Sequence, residues 1–460
     1  MVEGEPTLTM LSQVRAALGL GGVEVSVSGR GRLGSVFAVT ELAVAAVGAA
    51  GSAFAALLGT AGGSVPAVRV DRALASRWFA SSLRPLGWEV PSPWDPLAGD
   101  YQGSDGWIRL HTNAPHHRRA ALGVLGVSDN RAGVAVAVSR WTVNELEAAI
   151  VEAGGAAAAM RSVAEWAAHP QGVAVSAEPL VHRQDLDTEG SRSTWHPALG
   201  GKRPLAGLRV LDMTRVLAGP VATRLLAGWG AEVLRIDPPG WDEPGLVPEV
   251  TVGKRCARLD LRQAGDRRRW WELAAGADVL VHGYRPGVLE GLGVGAAERD
   301  ERCPGLVDVS LDAYGWSGPW AARRGFDSLV QMSAGIADAG RVASGADRPV
   351  PLPVQALDHA TGYFMAAAAL AGLAERERTG RASRWQASLA RTAKLLIDAG
   401  QQELGEAVLE ADSSWLPDTA EGTAWGPARR LPPPLQVTGI ELAWELPARP
   451  LGHDEPAWAT

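Results

Sequence analysis

Five short β-patterned runs alternate with helical ones over residues 205–400, which predicts an α/β chain built on a mostly parallel, Rossmann-like sheet domain. A preceding stretch that mixes one alternating strand with alanine-rich helices predicts a smaller α+β domain ahead of it, so the order is permuted or half-duplicated. The length of 460 residues is consistent with two or three domains at about 150 residues each.

The elements are read in order. Residues 1–35 are glycine-rich and carry no clear period. Residues 36–58, "VFAVTELAVAAVGAAGSAFAALL", are long and apolar enough to span a bilayer, but alanine and glycine dominate and Glu41 interrupts them, so a buried helix is expected. In "GWIRLHTNAPHHRRAALGVLGV" a strand precedes a helix. "TVNELEAAIVEAGG" opens with the Thr-x-x-Glu pattern of a capping box, and "SVAEWAAHPQG" reads as a short helix ended by Pro170 and Gly172. Residues 36–182 are thus taken as one unit and the polar, turn-rich 183–204 as a linker. In 205–400, "LRVLDM", "EVLRID", "ARLDL", "DVLVHG" and "LVDVSL" read as strands, and "DHATGYFMAAAALAGLAERER" as a strong helix. Residues 401–460 hold many prolines and read as an extended, wrapping tail.

Composition narrows the function. Apolar residues make up 46% and charged residues 21% of the chain, ordinary for a globular protein. The net charge of −7 and the lack of a basic tract argue against nucleic acid as the main partner. Cys256 and Cys303 form no CxxC pair, and no Cys/His cluster has metal-ligand spacing, so no metal or redox cofactor is expected and a reducing cytoplasm is the expected compartment. The start "MVEGEPTLTM" lacks the basic-then-apolar pattern of a signal peptide. The loop "TRVLAGPVATRLL" follows a strand and opens a helix, the place where backbone amides hold anions, yet it lacks the GxGxxG spacing of a dinucleotide site.

Five blocks in order make this loop more specific: "RVLDMTRVLAGPVATRLLAGWGAEVLRIDPP", "GKRCARLDLR", "ADVLVHGYRPGVLEGLGV", "LVDVSLDAYGWSGPWAARRGFDSLVQMSAGIADAG" and "LDHATGYFMAAAALAGLAERERTGR". Together they closely resemble the family III CoA-transferases, the group with formyl-CoA transferase, carnitine CoA-transferase and alpha-methylacyl-CoA racemase, over about residues 204–391. The resemblance implies an acyl-CoA donor, a carboxylic acid acceptor, coenzyme A as part of the substrate and a homodimer without a membrane. It places the nucleophilic aspartate, which carries acyl and CoA groups as anhydrides, at Asp358, and a second acidic residue at Asp327. It places CoA contacts at Val216, Leu217 and Ala218, at Lys254 and Arg255, and at Tyr284 and Arg285, with Arg323 and Arg324 available to phosphates or a substrate carboxylate. Backbone amides near Gly315 to Gly318 are the expected oxyanion donors.

The departures carry information. The racemases place a basic histidine just before the second acid; here Phe326 stands there, which favours transfer over racemisation, with His359 the substitute base in the alternative reading. Gly291 stands where many transferases have an arginine, and His282-Gly283 replaces the usual lead-in to the Arg-Pro-Gly turn, which leaves a non-catalytic subunit as a further alternative. The part that resembles the family's small domain comes first, and residues 36–58 resemble a degenerate copy of the Asp358 helix with Glu41 near its start. If 183–204 is a free linker, limited proteolysis within it releases two stable halves; a single indivisible core would place the boundary elsewhere.

Overall fold

The computed structural model describes residues 5–186, 195–405, 408, 409, 412 and 415–459. Its largest sheet has seven strands in the spatial order Lys254–Arg258, Glu232–Asp237, Arg209–Met213, Val279–His282, Val307–Asp312, Ser383–Ser388 and His182–Asp185. The first six are parallel throughout, and only the last runs antiparallel. In chain order the six read 3-2-1-4-5-6, the doubly wound order in which the connections leave in opposite directions from the first strand. The crevice at the carboxyl ends of Arg209–Met213 and Val279–His282 is therefore the topological switch point.

The predicted α/β class and the smaller α+β unit are both present. The smaller unit pairs Gly99–Gln102, Trp107–Leu110 and Ala157–Ala159 antiparallel and covers them with the helices Pro115–Leu125, Arg131–Val138 and Val143–Glu152 around Ile108, Leu146 and Ile150. Three local expectations change. The third sheet strand is Lys254–Arg258, not the run 257–261, because its register against Val233–Asp237 begins at Lys254. The helix Val163–Ala168 ends before Pro170 as expected, but Gly172 ends nothing: Pro170 occupies the first position of a second helix, Pro170–Ala177, where its missing N–H costs nothing. At Thr142 the capping box stays open: its hydroxyl donates to Glu145 at 2.6 Å and caps no backbone amide.

Residues 1–35 hold the helix Glu5–Ala17 and the strand Val25–Ser28. Val39–Thr60 is long and apolar enough to cross a membrane, but 89% of its most apolar window is buried within the fold. It lies against the central helix Ala356–Thr379, which also packs on Ala218–Gly228. The tail wraps as expected and also pairs: Leu435–Val437 against Val68–Asp71, and Gly426–Arg430 against Leu83–Pro85. Trp444 and Trp458 donate their indole N–H groups to the carbonyls of Arg224 and Leu273.

The candidate linker 183–204 falls partly outside the described residues; within them His182–Asp185 is the seventh sheet strand. With Val39–Thr60 against Ala356–Thr379 and the tail paired to residues 68–85, a cut near 187–194 is expected to leave both fragments bound together.

The central helix is positioned by small residues. A Cβ at Gly362 would lie 2.3 Å from the Ala218 carbonyl oxygen and 3.0 Å from Val221 Cβ. No rotamer relieves a clash with backbone, so Gly362→Ala is expected to destabilise the fold by about 1–3 kcal/mol, read as a lower urea midpoint at unchanged slope.

Candidate active site

The first loop is set by a buried ion pair. Asp212, at the end of the first strand, accepts from the Thr214 amide at 2.9 Å and from Lys254 Nζ at 3.0 Å. Lys254 also donates to the Pro220 carbonyl at 2.9 Å and to Thr223 Oγ1 at 2.6 Å. It is fully buried, and its three donors are spent on shaping the loop. Arg255 points the other way: its guanidinium donates to the Ala457 carbonyl at 2.8 Å, away from the switch point. Neither of these two expected CoA positions lines the cavity described next, and the two diverge because successive residues of one strand face opposite sides of the sheet.

Val216 has φ of 65°, a conformation costly for a β-branched residue. Its amide donates to Glu243 Oε2 at 2.8 Å, and Glu243 is in turn ion-paired with the buried Arg235. The loop thus turns sharply into the helix Ala218–Gly228, whose cap position is the buried Leu217.

A cavity opens at this switch point. Val216, Ala218, Arg285, Arg324 and Asp358 line it, with Asp312, Phe326, His116 and His117. Tyr284 forms the layer beneath: the Arg215 guanidinium lies between the Tyr284 and Trp241 rings, 4.8 Å from each. Among the described residues Arg215, Arg285 and Arg324 have no carboxylate partner. Burial and then the neighbouring Arg324 charge hold the Arg285 guanidinium below its ordinary range. Arg323 is different: it pairs with Glu147 at 2.9 Å and ties the cavity to the α+β unit.

Asp358 occupies the first turn of the central helix and is 8% exposed. Burial, followed by the charge of Asp327, pushes its carboxyl well above the usual range. Asp327 is completely buried and does not line the cavity. Its Oδ2 accepts the Asp358 amide at 2.9 Å and its Oδ1 accepts Gln331 Nε2 at 2.5 Å. It therefore caps the helix that presents Asp358. Burial raises its carboxyl to about 6.

The histidines were not among the sequence-derived site residues. His111 stacks on Phe326 with ring centroids 3.7 Å apart, and His117 meets the same ring edge-on at 5.8 Å. Both ring nitrogens of His117 are buried without a partner, and burial, then His116, hold the imidazole to about 3. The only signal in the chain was "HTNAPHH", whose histidines lie some two hundred residues before Phe326. His359, the substitute base of the alternative reading, turns from the cavity and stacks on Phe79 at 5.1 Å. The amides near Gly315 to Gly318 are also unavailable as a set: Gly315 N–H donates to Asp312 Oδ1 at 2.8 Å, and the Trp316 and Ser317 amides donate to Glu178 Oε1 at 2.9 and 2.8 Å.

Residues 205–408 match the model of CoA-transferase family III, which bears out the resemblance carried by the ordered sequence blocks. Among curated relatives, the chain is 36% identical over 198 residues to "Probable fatty acyl-CoA transferase Rv3272" of Mycobacterium tuberculosis, covering 40% of this chain and 50% of that protein. It is 36% identical over 192 residues to succinyl-CoA:glutarate CoA-transferase of Mus musculus, covering 39% and 44%. It is 33% identical over 203 residues to acetyl-CoA:oxalate CoA-transferase of Acetobacter aceti, covering 41% and 51%. A crystal structure of Rv3272 matches with 35% identity and a TM-score of 0.39, over 43% of this chain and 56% of that one. The chain spans about half the length of these relatives.

The capping role of Asp327 is testable. Asp327→Ala strands the Asp358 amide and is expected to cost about 1–3 kcal/mol. Because the folded-state value is raised, this group favours folding below its ordinary 3.8 and loses that contribution as pH rises through about 6. Asp327→Asn is expected to flatten the urea midpoint over that pH window.

Proposed function

We propose that this protein is an acyl-CoA:carboxylate CoA-transferase in which Asp358 is the nucleophile. One observation carries the reading: a carboxyl in the first turn of a helix lines a cavity at the switch point of the sheet, beneath arginines that lack acidic partners. In this reading Arg285 and Arg324 meet the CoA phosphates, Arg215 extends the positive rim over Tyr284, and the Val216–Ala218 loop receives the nucleotide end. Asp358 reacts as its carboxylate, its proton having passed to solvent while the cavity is open and the unpaired arginines opposing the cost of that charge. Asp358 attacks the thioester carbonyl, and the C–S bond breaks with its electron pair on the CoA thiolate. An acyl–aspartyl anhydride remains. The thiolate then re-forms a thioester at the Asp358 carbonyl and frees the first acid as its carboxylate. The acceptor carboxylate attacks that aspartyl-CoA thioester to give an anhydride with Asp358, from which CoA thiolate releases the new acyl-CoA and regenerates the aspartate.

Proton abstraction is less well supported. Phe326 cannot move a proton, and His359 faces Phe79. The site belongs with small-molecule chemistry in the cytoplasm, without metal or redox cofactor, and with a homodimer as the working assembly. The helix Val39–Thr60, in the half-copy read over residues 36–182, is read as a degenerate copy of the helix Ala356–Thr379. Two parallel strands flank each helix, and the second strand ends on a cap residue: Asp71 accepts Leu74 N–H at 2.9 Å, and Ser388 accepts Arg391 N–H at 3.2 Å.

Mixing the protein with acyl-CoA esters, quenching with hydroxylamine and mapping peptides by mass spectrometry is expected to place a hydroxamate on Asp358. Asp358→Ala should lose the mark and at least about a thousandfold in turnover. A full rate of exchange in Asp358→Ala overturns the reading.

A further inference from the structure

The turn after the strand Val307–Asp312 commits most of its central amides within the fold. Its three successive N–H groups at 315, 316 and 317 are held by Asp312 and Glu178. Gln171 closes the rest, donating to the Tyr314 and Ser317 carbonyls at 2.9 and 2.8 Å and accepting the Trp320 amide at 2.6 Å. Thr214, on the opposite strand end, is likewise committed to Asp212 through both its amide and its hydroxyl. These amides and Thr214 are thus not free to meet a thioester carbonyl in this cavity.

Asp312 is differently placed. It stands at the carboxyl end of its strand, is 6% exposed and lines the same cavity as Asp358, among Leu311, Ala313 and Leu389. Its Oδ1 is taken by Gly315, and its Oδ2 is buried with no partner. Among the described residues it has no ion pair, and the nearest charge acting on it, Glu178, is of its own sign. A buried carboxyl with one engaged oxygen, one vacant oxygen and no cation is a neutral acid with an unspent O–H donor. Burial and then the Glu178 charge push it well above the usual carboxylate range.

We propose that Asp312 is the oxyanion donor of this site, its Oδ2–H donating to the carbonyl oxygen of a bound acyl-CoA thioester. As Asp358 forms the C–O bond, the carbonyl π pair moves onto oxygen and the Asp312 hydrogen bond shortens. When the C–S bond breaks, that pair returns and CoA thiolate leaves. The proton stays on Asp312 throughout, so the residue acts by hydrogen bonding and not by proton transfer. The inference rests on the transferase reading for its chemistry, but the donor itself is separately observable.

The experiment has two arms. In the first, the infrared carbonyl stretch of a ketone analogue of acetyl-CoA, with CH₂ in place of the thioester sulfur, is recorded bound to wild type, Asp312→Asn and Asp312→Ala. A shift to lower frequency in wild type and Asp312→Asn that is lost in Asp312→Ala supports the donor. The same stretch in all three, or no binding of the analogue to wild type, overturns it. In the second arm, hydroxylamine trapping at Asp358 is timed. Asp312→Ala is expected to slow it about 10²–10³-fold, with Asp312→Asn, which keeps an N–H donor, within about tenfold of wild type. Equal rates in wild type and Asp312→Ala overturn the proposal. An infrared shift without any trapping in wild type removes the nucleophile reading and leaves the donor standing.

Discussion

The placement of everything else depends on how closely the helix Ala356–Thr379 approaches its neighbours. Its inner face is a run of alanine and glycine, and so is that of Val39–Thr60 against it. Small side chains let helix backbones come near enough for dispersion contacts to accumulate over the whole length, and Gly362 meets the Ala218 carbonyl without room for a methyl group. This contact fixes the helix start relative to the first loop. Because the same helix carries Asp358 in its first turn, a packing constraint sets the geometry of the candidate chemistry.

The electrostatics follow from that rigidity. Asp358 sits where water is scarce, with its own amide given to Asp327. The free amides of a helix start favour negative charge, while burial and the second carboxyl oppose it. The balance yields a carboxyl that is held in place but reluctant to ionise until an anion-binding rim or a ligand changes its surroundings. Asp327 achieves this from behind, since its two oxygens are spent on Asp358 and Gln331. The pair is better described as one presented group and one supporting group than as two equal acids.

Much of this was legible in the chain. The parallel sheet, the long alanine helix and the first loop followed from patterns local in sequence, whereas Asp358 was singled out only by the resemblance of the ordered blocks. The strand at Lys254 was displaced because "ARLDL" alternates as well as "KRCAR" does, and only the register against Val233–Asp237 chooses between them. The role of Lys254 was hidden for the same reason: its partners Asp212 and Thr223 lie on other elements. His117 reaches the cavity only because the α+β unit packs on the segment around Phe326 through Ala156, Ala158, Leu329 and Met332, a contact between distant parts of the chain. Saturation of the 315–317 amides depends on Glu178, more than a hundred residues upstream.

The two halves of the molecule show how one arrangement serves structure in one place and chemistry in another. Glu41 and Asp358 both stand in the first turn of a long apolar helix set between parallel strands. Glu41 is answered by Arg72, the residue that follows the Asp71 cap, so its charge is balanced within the fold. The residue that follows the Ser388 cap is Leu389, which brings no charge and lines the cavity instead. Asp358 is thus left without a cation of its own. A buried acid without a counter-charge is a cost to folding, and the fold bears that cost at one helix start while neutralising it at the other, which is the contrast on which the proposed role of Asp358 rests.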